Sequence, residues 1–245
     1  MNVSERLQRA EEIIAAGLDE AGTAEILGLL GVTNFPLETL NEITVYSEYL
    51  PKATEYGFTD NQRYLHFLWD VFDRSPMCIN ARFALPFRRL IAHALFPRCG
   101  KNLVIEEGVR FNFGQGIEVG DNVLMNRGCF LDSKGGIELR NSAGLAEQVI
   151  IFTHGHSQSD HPTRTYSKVT IEEYALVYTG AMIMPGVTVG AEAIVAARSV
   201  VTHDVEPGML VAGMPARVIR ERDRDGKHGA ELNHIWFRDG MWQED

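Results

Sequence analysis

From Ile171 to Val201 an aliphatic residue recurs at every sixth position, and a small or short residue follows each one by four positions. The aliphatic series is Ile171, Val177, Ile183, Val189, Val195 and Val201, and the short series is Ala175, Ala181, Val187, Ala193, Ser199 and Val205. Neither a 3.6-residue helix nor a two-residue strand alternation produces a period of six. This period is typical of a solenoid in which each hexapeptide forms one side of a triangular coil. The pattern predicts a parallel β-helix with about 18 residues per turn, aliphatic residues inside and short residues at the corners.

The same period begins less regularly after Gly100. Between its runs the step is eight residues, at 114–116 and again at 133–136, which predicts wider turns at glycine-bearing corners. A larger interruption, the polar segment 153–168, contains three histidines and is where we expect function to lie. The earlier inward-facing runs are Ile105 and Phe111; Val119, Met125 and Leu131; and Leu139, Leu145 and Ile151.

Residues 1–97 show helical periodicity instead. A first helix carries Leu7, Ala10, Ile14 and Leu18, with Ser4 as its predicted N-cap. We expect four further helical segments. The first is led by Thr23 and ends near Gly31, and the second runs from Pro36 to Pro51 with an apolar stripe at Leu37, Leu40, Ile43 and Tyr46. The third is capped by Thr59 or Asp60, and the fourth runs from Phe87 to Phe96. The predicted domains are therefore a helical region (1–97), a β-helix (98–221) and a C-terminal tail (222–245). The tail is expected to cover the open end of the prism with Trp236, Phe237 and Trp242.

Composition and charge narrow the possible partners. The net charge of −10 disfavours nucleic acid or an anionic membrane as the main partner. No apolar run is long enough to span a membrane, and the N-terminus lacks a signal-peptide core, so we expect a cytoplasmic protein. Three widely spaced cysteines, an odd number, predict free thiols and no structural disulfide.

Five short motifs occur in a fixed order along the repeat region: MNRGCFLD (125–132), IFTHGHS (151–157), MPGVTVG (184–190), SVVTHDV (199–205) and GMPARVI (213–219). Together they resemble the hexapeptide-repeat acyltransferases with a left-handed β-helix, in particular the maltose, galactoside and polysaccharide O-acetyltransferases. The resemblance covers residues 98–221. It implies a left-handed parallel β-helix, acetyl-CoA as co-substrate without a metal, and a homotrimer with coenzyme A in the cleft between neighbours. The helical N-terminal region departs from the short segment of the maltose enzymes.

Transfer of an acetyl group to an alcohol needs a base that takes the hydroxyl proton, and histidine suits this role near neutral pH. His156 lies where the family's threonine-x-x-histidine motif places its base, with Thr153 as the threonine. His154 would project to the same side of an extended strand and is the rival for this role. His161 lies further along the segment, and whether His154 or His161 assists is left open.

Asn126 and Asp132 are the candidate residues for binding the acceptor. An amide and a carboxylate together donate to and accept from neighbouring sugar hydroxyls, and sugar-binding members of the family carry such a pair. The alternative is structural, because asparagine often fills β-helix turns and Asp132 begins a corner.

The donor end of the site is implied by the resemblance. The backbone at Thr179 or Gly180 would face the thioester, where N–H groups could stabilise an oxyanion. The family uses a basic residue of its PAR motif for coenzyme A, which points to Arg217, with Arg220 beyond it. The family's usual lysine after the threonine of its VVT motif is replaced by His203, beside Thr202, which would weaken phosphate attraction. Small residues would let the pantetheine arm lie close to the β-helix surface: Ala181, Ala196 and Ala197.

The sequence therefore predicts an acetyl-CoA-dependent O-acetyltransferase acting on a sugar hydroxyl of a polysaccharide unit, nucleotide sugar or saccharide. Segment 151–171 is shorter than the projecting loop of the maltose and galactoside types, and Thr165 replaces their acidic residue, so a more open acceptor site is expected. The alternatives are an N-acetyltransferase for an amino sugar or amino acid, a γ-class carbonic anhydrase and a catalytically inert scaffold. His156 and His161 have a spacing compatible with the zinc pair of such an anhydrase, but no third ligand is evident.

Overall fold

The computed structural model describes residues 1–232, which form two compact units that divide between Leu95 and Phe96. The first unit is helical and the second is a parallel β-helix. The aromatic residues predicted to cover the end of the prism, Trp236, Phe237 and Trp242, lie outside the described residues.

The N-terminal unit contains five α-helices and an aromatic core. The Phe72 ring lies with its centroid 4.7 Å from that of Phe87, and the Phe83 and Phe87 rings stack at 5.3 Å. All three side chains are buried, so they anchor the packing of the last two long helices. The helices are α1 (Val3–Ala16), α2 (Glu20–Leu29), α3 (Ala53–Tyr56), α4 (Asp60–Phe72) and α5 (Ala81–Leu95), with 3-10 turns at Leu37–Glu42, Tyr46–Tyr49 and Pro76–Ile79.

The first two helices begin at other residues than the sequence predicts. Asn2, and not Ser4, caps α1: its side chain accepts the Glu5 N–H at 2.9 Å while the Glu5 carboxylate accepts the Asn2 N–H. Asp19 caps α2, so Thr23 lies inside that helix and is buried. The cap of α4 is Thr59, as predicted.

The prediction of one helix from Pro36 to Pro51 is wrong. It forms two separate 3-10 turns, because Ile43 and Val45 adopt extended backbone angles between them. Tyr46, predicted to continue the apolar stripe, is 70% exposed. The last helix, α5, begins at Ala81, six residues before the predicted start, and contains Pro86 in its second turn, where the missing N–H removes one helical hydrogen bond.

Three parallel β-sheets form the faces of the C-terminal prism, and successive strands along the chain move from face A to B to C. Face A contains β1 (Arg98–Cys99), β4 (Ile117–Val119), β7 (Ile137–Leu139), β12 (Val169–Ile171) and β15 (Thr188–Val189). Face B contains β2 (Val104–Ile105), β5 (Leu124–Met125), β8 (Gly144–Leu145), β13 (Leu176–Val177), β16 (Ile194–Val195) and β18 (Met209–Gly213), extended by antiparallel β19 (Ala216–Glu221). Face C contains β3 (Arg110–Phe111), β6 (Phe130–Asp132), β9 (Ile150–Phe152), β14 (Met182–Ile183) and β17 (Val200–Val201).

The coil length follows the sequence period. Val104 pairs with Leu124 and Leu124 with Gly144, each twenty residues later, and the two extra residues of each coil lie in the 3-10 turns Gly114–Gly116 and Ser133–Gly135. Leu176 pairs with Ile194, eighteen residues later, where the period of six is strict. The aliphatic series from Ile171 to Val201 is at most 1% exposed, and the short series beside it at most 4%. The parallel β-helix predicted from the sequence is confirmed.

The corners between faces B and C, here called the BC corner, repeat one backbone conformation. The N–H of Gly128 donates to the carbonyl of Glu107, and the N–H of Gly180 donates to that of Glu147. The residues that carry these N–H groups have φ between +56° and +75°, a region that glycine occupies without strain. They form one column from coil to coil: Gly108, Gly128, Gln148, Gly180 and Arg198.

The chain after β19 returns along the corner between faces A and B. Glu192 accepts hydrogen bonds from the Gly229 N–H at 2.8 Å and from Arg224 at 2.7 Å. Within residues 1–232, no helix combines the length and the apolar composition that crossing a membrane requires.

Candidate active site

The histidine-rich interruption of the repeat forms a β-hairpin that projects from the CA corner, where face C ends. Its strands are β10 (His154–His156) and antiparallel β11 (Arg164–Tyr166), with His154 opposite Tyr166 and His156 opposite Arg164. Buried Thr153 fixes its base: the hydroxyl donates to the Asp132 carbonyl and accepts the Gly135 N–H at 2.7 Å. The hairpin is thus attached to the preceding coil by hydrogen bonds that its own sequence supplies.

A buried cluster of charged and polar groups lies beside this base. The Asp132 side chain is 1% exposed, and its Oδ1 accepts a hydrogen bond from Lys134 Nζ at 2.8 Å. Its Oδ2 contacts His154 Nδ1, so the imidazole donates from that nitrogen to the carboxylate. The cluster places one anion, one cation and one histidine within hydrogen-bonding contact.

His156 is exposed on the same side of β10 as His154, with ring centroids 5.3 Å apart. Its Nδ1 lies 2.8 Å from the His161 carbonyl oxygen, and the two imidazole rings stack at 4.2 Å. Because a carbonyl oxygen only accepts hydrogen bonds, Nδ1 of His156 carries the proton. Nε2 then keeps its lone pair, which is the form that a general base needs.

The two residues predicted to bind the acceptor do not meet within one chain. Asp132 ends β6 at the CA corner, whereas Asn126 lies before that strand at the BC corner. Both carboxylate oxygens of Asp132 are engaged by Lys134 and His154 beneath the surface. The Asn126 amide is also engaged, by Glu147 and by the Arg127 N–H. The two residues differ in burial, because Asn126 is half-buried near the surface whereas Asp132 is buried.

At the BC corner a carboxylate connects Asn126 with Thr179. Glu147 Oε1 accepts from Asn126 Nδ2 at 3.1 Å, and Oε2 accepts from the Thr179 hydroxyl at 2.9 Å. A hydrogen bond from its own backbone N–H, followed by that of Thr179, holds the pKa of Glu147 below its usual value. The exposed corner thus presents an ionised carboxylate between a predicted acceptor residue and a predicted donor residue.

Of the other residues predicted for the donor side of this corner, some are accessible to a bound cofactor and others are not. Ala197 is exposed, whereas Ala181 is fully buried in the interior stack and does not line a surface, which corrects that expectation. The Gly180 N–H already donates to the Glu147 carbonyl at 2.8 Å. Of the two candidate oxyanion donors, Thr179 is therefore the one compatible with an intact coil.

The residues predicted to meet the phosphates of coenzyme A lie beyond the last complete coil. Thr202 and His203 are exposed, and the hydroxyl of the first lies 2.9 Å from Nδ1 of the second. Arg217 and Arg220 are exposed on β19. These side chains supply cationic and polar groups at the open surface of the prism.

No family model matches the sequence, but individual proteins do. The chain is similar to the galactoside O-acetyltransferase of Escherichia coli, with 29% identity over 158 residues that cover 62% of this chain and 74% of the relative. It is also similar to the serine acetyltransferase of Bacillus licheniformis, with 33% identity over 149 residues that cover 59% of this chain and 66% of that one.

A solved structure of galactoside acetyltransferase in complex with coenzyme A has the same fold. Its TM-score is 0.61 at 23% identity, and the match covers 86% of this chain and 100% of the solved one. The chain is therefore an acetyltransferase that resembles the hexapeptide-repeat enzymes in sequence and in its parallel β-helix.

Within residues 1–232, this acyltransferase has no group of three or more His, Cys, Asp or Glu side chains that could hold a metal ion. His156 and His161, whose spacing made them a candidate zinc pair, have their rings stacked with only 7° between the ring planes. This stack directs His156 Nδ1 to a backbone carbonyl, so the pair is organised by hydrogen bonding.

Sequence reasoning missed two residues of this candidate site, Glu147 and Lys134. Glu147 lies one coil after Asn126 and one coil before Thr179, but the second of these coils contains the β10–β11 hairpin, so the coil period did not reveal the shared corner. Lys134 lies two residues after Asp132 in a 3-10 turn. No pattern in the sequence distinguishes Lys134 from a lysine on the solvent-exposed surface.

Proposed function

We propose that this acyltransferase transfers an acetyl group from acetyl-CoA to a hydroxyl of a sugar, as part of a polysaccharide, nucleotide sugar or saccharide. The observation that carries the proposal is the hydrogen bond from His156 Nδ1 to the His161 carbonyl, which leaves Nε2 free to take a proton. Exposure of His156 on the projecting hairpin lets an acceptor of any length approach it.

In the proposed reaction, Nε2 of His156 removes the acceptor's hydroxyl proton as the oxygen attacks the thioester carbon. The carbonyl oxygen becomes an oxyanion, for which the Thr179 backbone N–H is the proposed donor. Collapse of this intermediate breaks the carbon–sulfur bond, and the leaving thiolate takes the proton from the His156 imidazolium. The products are the acetyl ester and coenzyme A, and the histidine returns to its starting form.

Acetyl-CoA is the proposed donor because the last coils combine a small exposed side chain, Ala197, with exposed cations. Arg217 and Arg220 are suited to the phosphates of the cofactor, with Thr202 and His203 as polar neighbours. The complex of galactoside acetyltransferase with coenzyme A, which shares this fold, supports the same donor here. Use of acetyl-CoA also supports our proposal of a cytoplasmic location.

An amine is the second candidate acceptor, on an amino sugar or an amino acid. The observation that favours it is the carboxylate of Glu147, whose pKa is lowered and which is exposed at the BC corner. An ionised carboxylate there attracts an ammonium group before the base removes its proton.

The test follows thiol release from acetyl-CoA across sugars, nucleotide sugars, oligosaccharides and amines, and compares the wild type with His156→Asn. Asparagine retains a donor for the His161 carbonyl but has no basic nitrogen, so we expect about a 10²–10⁴-fold loss of kcat in a folded variant. A His156→Asn enzyme with wild-type turnover would contradict the role of His156. Faster thiol release with amines than with every hydroxyl acceptor would favour N-acetylation.

We also propose a homotrimer with sites in the clefts between subunits. The separation of Asn126 from the hairpin in one chain supports this arrangement, because a neighbouring subunit could complete the site. Light scattering should give three times the chain mass of 27.4 kDa. A monomer at assay concentration would contradict the proposal.

A further inference from the structure

We propose that Asp132 and His154 are positioning residues that hold the β10–β11 hairpin, and with it His156, in the geometry that acetyl transfer requires. This inference rests on the proposed function, since it concerns the same site. It assigns Asp132 to the enzyme's own hairpin instead of the acceptor, and it assigns His154 a hydrogen-bonding role instead of proton transfer.

The burial of Asp132 supports the first assignment. The side chain is 1% exposed, and its two oxygens are engaged by Lys134 and His154. Each oxygen could accept a further hydrogen bond, but the carboxylate is buried, so an acceptor hydroxyl would reach it only by displacing Lys134, itself 13% exposed, or His154. Unpaired buried charges are costly, so the carboxylate is committed to the cluster.

The location of His154 supports the second assignment. It is the first residue of β10, and its Nδ1 donates to the carboxylate on β6, in the preceding coil. The neighbouring Thr153 adds a second bond to the same residue, through the Asp132 carbonyl. Side chain and backbone of Asp132 therefore hold two consecutive residues of the chain that leads to His156.

Lys134 balances the charge of this cluster. Its Nζ lies 2.8 Å from Asp132 Oδ1 and 3.5 Å from His154 Nδ1. Because lysine and Nδ1–H are both donors, the lysine pairs with the carboxylate and not with the imidazole. The carboxylate that orients the His154 imidazole is thus already neutralised by Lys134. This arrangement suits a residue that holds the ring in place.

The consequence for catalysis comes from distance. The rings of His154 and His156 are 5.3 Å apart on one side of a three-residue strand, so a shift at one carries the other. A displacement of a reacting group by about 1 Å lowers turnover by about 10²-fold even when binding persists. Loss of the positioning pair should therefore lower kcat and leave the KM values for donor and acceptor nearly unchanged.

The test compares His154→Asn with His154→Ala. The asparagine amide donates from nearly the same place as Nδ1 but has no basic nitrogen, so it keeps the bond to Asp132 and removes any acid–base capacity. We expect kcat within about threefold of wild type for His154→Asn and a loss of at least tenfold for His154→Ala, with KM changes under about twofold. Asp132→Asn should behave like His154→Ala.

Hydrogen exchange gives a second readout that does not depend on turnover. Peptides covering 153–167 should exchange at least about tenfold faster in His154→Ala than in wild type, and at nearly wild-type rate in His154→Asn. Thermal unfolding of each variant checks that the β-helix remains folded.

Three outcomes would overturn the inference. Equal inactivity of the folded His154→Asn and His154→Ala variants would make His154 an acid–base group. A raised acceptor KM with unchanged kcat in Asp132→Asn would restore the acceptor role of Asp132. An unchanged rate of hydrogen exchange in the hairpin of His154→Ala would rule out the positioning role, even if no acceptor is found. A wild-type protein that is inactive with every acceptor would contradict only the proposed function.

Discussion

Two histidine rings of this site each donate a hydrogen bond from Nδ1, and these bonds determine which ring nitrogens are available for chemistry. His156 donates from Nδ1 to a carbonyl, and His154 donates from Nδ1 to a buried carboxylate. Both rings therefore keep Nε2 as the basic nitrogen. They differ in exposure, because His156 faces solvent and His154 is half-buried over Asp132. That difference in access is why we assign the base to His156.

Close packing at Gly135 should make this residue intolerant of a side chain. A Cβ there would lie 2.4 Å from the Thr153 carbonyl oxygen and 2.8 Å from the Ser167 nitrogen, both backbone atoms at the base of the hairpin. We expect Gly135→Ala to cost about 1–3 kcal/mol in unfolding free energy and to lower turnover. Gly28→Ala is the control, because nothing lies within 4 Å of its Cβ in α2 and helical glycines favour replacement. Chemical denaturation measures both; equal effects would contradict the prediction.

Cys129 should resist alkylation in the folded protein. Its Sγ donates to the Ala146 carbonyl at 3.1 Å, and burial raises the pKa of the thiol to about 12. At pH 8 the thiolate, which is the reactive form, is therefore almost absent. We expect iodoacetamide to modify the half-buried Cys99 first and Cys129 only after unfolding, as read by peptide mass spectrometry. Early labelling of Cys129 would disprove this.

At the scale of elements, the site depends on a short hairpin attached to a coil that has hydrogen-bonded ladders on all three faces. The hairpin β10–β11 has two three-residue strands, whereas the coil below it is closed by parallel ladders on three faces. Its position therefore depends on the few bonds at its base, from Thr153 and His154 to Asp132. An insertion of this kind adds chemistry without disturbing the repeat.

The N-terminal helix offers a direct test of its cap. Asn2 and Glu5 exchange hydrogen bonds at the start of α1, while Ser4 lies within the helix. We expect Asn2→Ala to lower the stability of the helical unit by about 1 kcal/mol, because the Glu5 N–H loses its side-chain acceptor. Ser4→Ala, the matched control at the cap that the sequence predicted, should change stability much less. Urea denaturation that reversed this order would show Ser4 to be the cap.

At the scale of the whole molecule, carboxylates with lowered pKa values make stability dependent on pH. The hydrogen bond from Lys168 holds the pKa of Glu138 below its usual value. At Glu192 burial acts upward, but bonds from Gly229, Arg224 and His228 outweigh it, so its pKa is also lowered. A carboxyl group with a lower pKa in the folded state adds stability above its unfolded value of about 4.3. That stability is lost as the pH falls through the folded value.

We therefore expect the urea midpoint to be constant between neutral pH and about pH 5 and to fall below about pH 4.5. Glu138→Gln should make this fall shallower, because glutamine has no proton to gain. Glu11→Gln, on the exposed surface of α1, is the control. An acid transition as steep in Glu138→Gln as in wild type would contradict the role of this ion pair.

The sequence predicted those parts of the fold whose pattern is contained in a few neighbouring residues. Each hexapeptide brings its own inward residue, such as Val177 or Ile183, so the repeat could be recognised without knowing what packs against it. Helix starts were less accessible, because Asn2 and Ser4 are both good caps and only the backbone shows which one faces the free N–H groups. The break at Ile43 was missed because an apolar stripe does not reveal where a helix stops.

For the site, the sequence by itself determined the coil, the location of the interruption and the histidines within it, because these follow from composition and spacing. Only the tertiary structure decided that Asp132 contacts His154, 22 residues away, and that Glu147 lies between Asn126 and Thr179. These partners lie on successive coils, and the chain between Glu147 and Thr179 also contains the β10–β11 hairpin. Their pairing is therefore fixed by strand register and burial, which no local pattern encodes.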